Sequence, residues 1–325
     1  MKIEIDILGE KLNIHEKFFS KIGANYLILG VTAIIFQIIL INILNATHPE
    51  YLGDINIISL LSSICNYILP FPIFYWLMKK LDAVKIEKRS VDAKTFLIYI
   101  SITITLMWIG NIIGLIITML LSGAIQSDIS NPVQELINST DILFNLVIIC
   151  IMAPIFEEIF FRKLLIDRTI KYGAKLSIIL SALLFGLFHG NLNQFFYAFL
   201  MGGFFAYVYV KTGKITYTII LHAIVNLMGS VISIQIANAA MNLQTAFNPI
   251  DLLTITIYLI ALITFLIIGT YGLTKFDKAK FNGEKTEISL KKPLKTMLVN
   301  YGMILFILFF IIEMIIQIFS LELII

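Results

Sequence analysis

Nine apolar runs divide this chain into segments long enough to cross a lipid bilayer. They fall at about 24–45, 55–78, 95–122, 142–166, 176–190, 194–210, 215–236, 251–274 and 297–320. A helix of roughly 20 apolar residues spans the hydrocarbon core of a membrane, and only helices or closed barrels satisfy their backbone polar groups there. The runs therefore predict an all-α fold, a polytopic membrane helical bundle of about eight to nine transmembrane helices.

Apart from Arg162 and Lys163 near the end of the fourth run, Lys and Arg lie only in alternate connections between the runs and before the first run. They occur before the first run and in the second, fourth, sixth and eighth connections, whereas the intervening connections and the tail after residue 320 contain none. Cytoplasmic loops of membrane proteins carry an excess of these residues. The alternation therefore predicts nine crossings, with the N-terminus cytoplasmic and the C-terminus outside.

The composition narrows the class of protein further. With 59% hydrophobic and 14% charged residues, the chain leaves no room for a large soluble domain beside the helices. The net charge of +3 comes from basic loops, so the lipid bilayer is the expected partner and nucleic acid is not. The first 20 residues do not resemble a signal peptide. The abundance of Ile, Asn, Lys and Phe suits an AT-rich genome, and we expect an integral protein of a bacterial cell membrane.

Three ionisable residues, Glu157, Glu158 and Arg162, interrupt the fourth apolar run. Charged side chains at membrane depth cost several kcal/mol unless they face a partner or a polar cavity. Glu158 and Arg162 are four residues apart and can pair on one helix face, whereas Glu157 points about 100° away. This spacing favours a structural ion pair of Glu158 with Arg162 and leaves Glu157 free to act as a base. The alternative is a solvated cluster at the cytoplasmic end of the helix.

Two more polar constellations lie on later helices. Phe185 and His189 end the fifth run, and His222 and Asn226 share one face of the seventh. Counted from the basic connections, both histidines and Glu157 lie near the middle or the inner half of the bilayer. We therefore predict that these side chains share one wet pocket.

Proline and small residues indicate how these helices are shaped. Pro154 cannot donate a backbone hydrogen bond to the carbonyl near Cys150, which either opens the backbone beside the carboxylates or makes an ordinary packing kink. Ala198, Gly202 and Ala206 form a small-residue face on the sixth helix, and this predicts close helix packing.

In order along successive helices, the motifs are Glu157-Glu158-x-x-x-Arg162, Phe185-x-x-x-His189 and His222-x-x-x-Asn226. Together they resemble the CPBP family, the CAAX-protease and bacteriocin-processing membrane proteases. This family is also called ABI and includes the Ras-converting endopeptidases. The resemblance covers about residues 140–240, as a four-helix catalytic core. Residues 1–139 would then form an N-terminal cytoplasmic segment with three transmembrane helices, and residues 241–325 two transmembrane helices with a basic cytoplasmic loop.

The resemblance implies an intramembrane endopeptidase. Glu157 would activate a water molecule with the help of His189, and His222 with Asn226 would stabilise the oxyanion. The supporting residues are then Glu158, Arg162 and Phe185. The implied substrate is a membrane-associated peptide or a lipidated protein, processed as a CAAX sequence or as a peptide leader, pheromone or bacteriocin.

The cofactor is an open point of this interpretation. The family has been called a metalloprotease family, and two His with one Glu could bind zinc. However, the chain has no HExxH helix, and its two candidate histidines lie on different helices. We therefore expect no metal, with zinc as the alternative.

Two other functions use the same residues. A proton-coupled transporter could employ the Glu and His side chains as a relay, although the chain shows no repeated halves. A non-catalytic immunity or scaffolding protein could retain the fold, although binding alone would not require the complete set of motifs.

Overall fold

The computed structural model describes residues 14–276 and 287–319, which fold into helices and contain no β-strand. The nine principal helices follow the nine apolar runs. They are α1 (Ile14–Thr47), α2 (Ile55–Lys79), α3 (Ala93–Ile125), α4 (Ile142–Tyr172), α5 (Ala174–Phe188), α6 (Leu192–Thr212), α7 (Ile215–Thr245), α8 (Pro249–Lys275) and α9 (Tyr301–Ile318). Short helices occupy Pro49–Gly53, Pro132–Ser139 and Pro293–Leu298. The predicted all-α membrane bundle is confirmed.

Helix α5 is shorter than the others. Eight helices in the described ranges are long and apolar enough to cross a membrane, whereas α5 has 15 residues. At 1.5 Å per residue α5 is about 22 Å long, less than the roughly 30 Å of a hydrocarbon core. His189 lies in the turn that follows α5. If α5 begins at one membrane surface, this turn does not reach the opposite surface.

Polar side chains hold this turn in place. The Asn191 Oδ1 atom accepts a hydrogen bond from the Gln194 N–H at 2.8 Å and so caps the start of α6. Asn193 and Gln317 both donate to the Ser130 carbonyl oxygen, at 3.1 and 2.8 Å. The start of α6 is thereby tied to the segment after α3, and α9 is tied to the same carbonyl group.

Small residues bring α6 close to α5. Ala198 and Ala206 are fully buried, and a Cβ atom at Gly202 would lie 2.7 Å from Cδ1 of Phe185. The predicted small-residue face is thus confirmed as a packing surface. The Phe185 ring therefore packs directly against the α6 backbone at Gly202.

The basic end of α4 is partly buried. The sequence places Arg168 in a basic connection, but its side chain lies inside the bundle, where Nε donates to the Met78 carbonyl oxygen at 2.6 Å and Nη1 to that of Leu164 at 2.9 Å. The Tyr209 hydroxyl donates to Asp167 Oδ1 at 2.7 Å. These bonds tie the end of α4 to α2 and α6, so the helix extends to Tyr172.

Helices α1 and α9 cross at glycines. A Cβ atom at Gly302 would overlap the Ser20 carbonyl oxygen, and one at Gly23 would overlap the backbone of Met303. In contrast, a Cβ atom at Gly123, in the exposed last turns of α3, meets nothing within 4 Å. The backbone contact between α1 and α9 therefore requires both crossing glycines.

We expect Gly302→Ala to reduce the free energy of unfolding by about 1–3 kcal/mol, because the added methyl group forces two backbones apart. Thermal unfolding of the purified protein in detergent measures this effect. Gly123→Ala is the matched control and should leave the unfolding midpoint unchanged or slightly higher. Equal midpoints for both variants would contradict the crossing.

Candidate active site

Helix α4 departs from regular α-helical hydrogen bonding on both sides of the glutamates. Asn145–Met152 and Ile159–Leu164 are π-helical, and the α-helical turn Ala153–Glu158 lies between them. Such widened turns are rare and are often found at functional sites. Here they leave backbone carbonyls to be satisfied by other helices.

One of these carbonyls is that of Ile149. The Ala153 N–H donates five residues back to Ile148, and Pro154 has no N–H, so the Ile149 oxygen lacks the donor that either helical register would provide. The Asn226 Nδ2 group donates to this oxygen at 2.8 Å. The hydrogen bond lost at Pro154 is therefore replaced from α7, and one amide N–H of Asn226 is engaged in that bond.

Glu158 and Arg162 form the pair that their spacing predicts. Both side chains are 0% exposed, and Arg162 Nε lies 3.0 Å from Glu158 Oε2. The two side chains therefore form an ion pair within one helix. Arg162 Nη1 also donates to Ser181 Oγ at 2.9 Å. The alternative of a solvated cluster is therefore wrong for these two side chains.

His222 joins the two glutamates. Its Nδ1 atom lies 2.9 Å from Glu158 Oε1, and its Nε2 atom lies 3.6 Å from Glu157 Oε2. Because an ionised carboxylate only accepts hydrogen bonds, the short contact assigns a hydrogen to Nδ1. The imidazole of α7 thus lies between the two carboxylates of α4.

Glu157 points away from the pair and is 13% exposed. Its Oε1 atom accepts a hydrogen bond of 2.6 Å from the Tyr67 hydroxyl on α2. Its Oε2 atom is buried and has no hydrogen-bond partner among the described residues. The oxygen that faces His222 is therefore the one whose hydrogen-bonding capacity the described residues leave unfilled.

His189 reaches the site through Phe185. Its Nδ1 atom lies 2.7 Å from the Phe185 carbonyl oxygen, which accepts only, so Nδ1 carries the hydrogen and Nε2 is left as an acceptor in the neutral ring. The Phe185 ring lies edge-on to His189 at 4.8 Å and to His222 at 5.6 Å. The Arg162 guanidinium lies over the same ring at 4.6 Å. The Phe185 ring therefore contacts His189, His222 and Arg162.

The predicted residues are thus not all in direct contact. Glu157, Glu158, Arg162 and His222 are linked side chain to side chain, and His189 lies beside the Phe185 ring that His222 and Arg162 also contact. Asn226 is one helical turn from His222 and is directed to the Ile149 backbone.

Sequence reasoning missed two polar contacts, those of Ser181 and Tyr67. Ser181 precedes Phe185 by four residues and His189 by eight, so helical spacing could have found it. Its hydroxyl also donates to the Phe161 carbonyl oxygen at 2.8 Å, within a π-helical stretch. Tyr67 lies in a different apolar run, and no spacing connects it to Glu157.

The arrangement does not fit a metal site with three protein ligands. No group of three His, Cys, Asp or Glu side chains within the described ranges converges on a point that could hold a metal ion. A catalytic zinc site ordinarily uses three such ligands and leaves the fourth position to water.

Residues 139–228 match the family described as Type II CAAX prenyl endopeptidase Rce1-like. The resemblance to the CAAX-protease family is confirmed. This Rce1-like segment begins just before α4 and ends within α7, so it includes every predicted site residue, whereas α1–α3, α8 and α9 lie outside it. Neither the curated proteins nor the solved structures include a match to this chain.

Arg162→Met should lower the free energy of unfolding by about 3–5 kcal/mol, because it leaves Glu158 buried without its counter-charge. Thermal unfolding in detergent, together with the yield of folded protein, measures the loss.

Arg89→Met is the control, since Arg89 and its partner Glu87 are 66% and 75% exposed. This variant should change the free energy of unfolding by less than about 1 kcal/mol. Similar losses of unfolding free energy in both variants would show that the buried ion pair stabilises the fold no more than an exposed one.

Proposed function

We propose that this protein is an intramembrane endopeptidase that hydrolyses a peptide bond in a membrane-associated peptide or protein. The observation that carries the proposal is the environment of Glu157 inside the Rce1-like segment. One carboxylate oxygen is held by Tyr67, and the other is buried, unbonded and 3.6 Å from the His222 imidazole. A carboxylate in this setting can accept a proton from water.

The proposed reaction begins with water beside Glu157 Oε2. The carboxylate removes one water proton while the water oxygen attacks the carbonyl carbon of the scissile bond. The tetrahedral intermediate then collapses, the carbon–nitrogen bond breaks, and Glu157 returns the proton to the leaving amine. The products are a carboxylic acid and an amine, which become a carboxylate and an ammonium group when the remaining hydroxyl proton moves to the amine, and Glu157 is again ionised. The Nε2 atom of His189, an acceptor in its neutral tautomer, can orient the second hydrogen of the water.

The oxyanion requires a hydrogen-bond donor as charge develops on it. We assign this role to His222 Nε2, which donates when the ring carries hydrogens on both nitrogens. Two carboxylate oxygens lie 2.9 and 3.6 Å from this ring and can neutralise a positive charge on it. The second N–H of the Asn226 side chain would also donate to the oxyanion, while the first N–H bonds to the Ile149 carbonyl oxygen and keeps the side chain in position.

Glu158, Arg162 and Phe185 would hold this geometry. Glu158 fixes the imidazole of His222 through its Nδ1 atom, and Arg162 neutralises Glu158 while it lies on the Phe185 ring. Their role is to orient the reacting groups, since neither charged side chain is exposed to a substrate.

The substrate class follows from the setting of the site. Its glutamates lie inside helix α4, one of the helices apolar enough to cross a membrane, so a substrate must enter from the bilayer or from its surface. A lipidated C-terminal CAAX peptide is one candidate, and a peptide leader, pheromone or bacteriocin is the other. We further propose a bacterial cell membrane as the location, because the composition suits an AT-rich genome. The alternation of Lys and Arg between the connections supports a cytoplasmic N-terminus and a C-terminus outside.

Glu157→Gln should abolish cleavage while the protein still folds, because the amide cannot take a proton from water. Comparative peptidomics of cells that carry the wild type or this variant measures the loss and identifies the substrate.

Glu135→Gln is the control, since this carboxylate is exposed in the short helix before α4. It should leave the peptide pattern unchanged. Peptides that are cleaved equally in Glu157→Gln cells and wild-type cells would rule out the proposed base, and transport that persists in proteoliposomes of that variant would point to a carrier.

Chelators should leave cleavage unchanged if the proposed reaction needs no metal. Purified protein should then contain far less than one zinc ion per chain, measured by elemental analysis before and after treatment with 1,10-phenanthroline. Activity that is lost on chelation and restored by added zinc would instead favour a metal-dependent reaction.

A further inference from the structure

Tyr67 contributes the shortest hydrogen bond that Glu157 makes in the described part of the chain. Its hydroxyl donates to Oε1 at 2.6 Å. The residue belongs to α2, which lies outside the Rce1-like segment at 139–228. The carboxylate that we assign as the base is therefore held by a helix that the family match does not include.

A local distortion of α2 accompanies this position. Ile64–Ile68 is π-helical, and the Leu69 N–H donates five residues back to the Ile64 carbonyl oxygen at 3.0 Å. The extra residue in this turn changes the direction of the side chains that follow it, and Pro70 comes directly after the stretch. Tyr67 lies within it.

The Tyr67 ring is fixed as well as its hydroxyl. It stacks on the ring of Phe156, the residue before Glu157, with centroids 5.9 Å apart and an interplanar angle of 29°. Two contacts with consecutive residues of α4 leave the phenol little freedom to rotate. The hydroxyl is thus presented to the carboxylate from a constant direction.

The two oxygens of Glu157 consequently differ. Oε1 is engaged by Tyr67, while Oε2 is buried, makes no hydrogen bond to a described residue and faces His222. Without the hydroxyl, the carboxylate plane could rotate about its terminal bond, and neither oxygen would be held toward His222. We propose that Tyr67 is a positioning residue that fixes the orientation of the Glu157 carboxylate, so that one oxygen stays directed toward His222 and accepts the water proton. This inference rests on the proposed endopeptidase function.

A simpler explanation is that any phenol inside a membrane protein needs an acceptor. Tyr26 illustrates this case, since its hydroxyl donates to the Phe160 carbonyl oxygen at 2.6 Å. The Tyr67 bond differs because its acceptor is a reacting group in the proposed mechanism. The two explanations predict different effects on turnover.

Tyr67→Phe in the full-length protein should lower kcat by about tenfold to a hundredfold and leave KM within about twofold, because it misaligns the base without altering substrate contacts. The probe is a synthetic copy of the peptide whose cleavage depends on Glu157. Tyr75→Phe is the control, since Tyr75 is on the same helix and is 45% exposed. An unchanged kcat in Tyr67→Phe would overturn the proposal.

A pair of unnatural residues separates positioning from packing. Tyr67→4-aminophenylalanine retains an N–H donor at the para position, whereas Tyr67→4-methylphenylalanine has nearly the same shape and no donor. We expect the amino variant to retain kcat within about threefold of the wild type and the methyl variant to be as slow as Tyr67→Phe. Equal rates for the two variants would assign Tyr67 a packing role only.

The contact itself can be tested without a substrate. Infrared difference spectra of wild type minus Tyr67→Phe should contain carboxylate stretching bands, and these should disappear when both proteins also carry Glu157→Gln. Missing bands would overturn the contact whatever the protein does. If no peptide depends on Glu157, the proposed function fails, and the positioning role fails with it. If Glu157→Gln is inactive and Tyr67→Phe has full activity, only the role of Tyr67 fails.

Discussion

The buried charge group of Glu158, Arg162 and His222 is the constraint on which the rest of this structure depends. An ionised side chain among apolar helices is tolerated only when its counter-charge and hydrogen bonds are supplied on the spot. Here the guanidinium comes from the same helix, and the imidazole comes from α7. The aromatic ring below them comes from α5. Helices α4, α5 and α7 must therefore meet at one depth, and Glu157 is placed beside that meeting point.

Distortions of the helices prepare this site as much as the side chains do. In a membrane, a backbone carbonyl that loses its helical donor has no water to replace it, so another group must. The π-helical stretches and Pro154 of α4 create such carbonyls, and donors arrive from other helices. Asn226 reaches Ile149, and Ser181 reaches Phe161. Each irregularity thus binds α4 to a neighbour and limits how the helices around the glutamates can shift.

Much of the fold could be predicted because membrane helices follow simple local rules. Run length gave the order of the nine helices, and the four-residue spacing gave the Glu158–Arg162 pair. The same rules failed where burial depends on distant partners. Arg168 looked like a loop cation, yet it is buried against the Met78 carbonyl group of α2. The partner of Asn226 could not be predicted either. It is the Ile149 carbonyl oxygen, which lacks a helical donor because the π-helical register and Pro154 coincide there.

The sequence by itself determined the helical bundle, the family resemblance and the residues that carry charge into it, because each depends on composition or on spacing within one helix. Only the tertiary structure decided which atoms meet. Tyr67 and Glu157 are 90 residues apart, and His222 and Glu158 are 64 apart. No periodicity links residues at such separations. Their contacts follow from how α2, α4 and α7 pack, and this packing gives the two oxygens of Glu157 different surroundings.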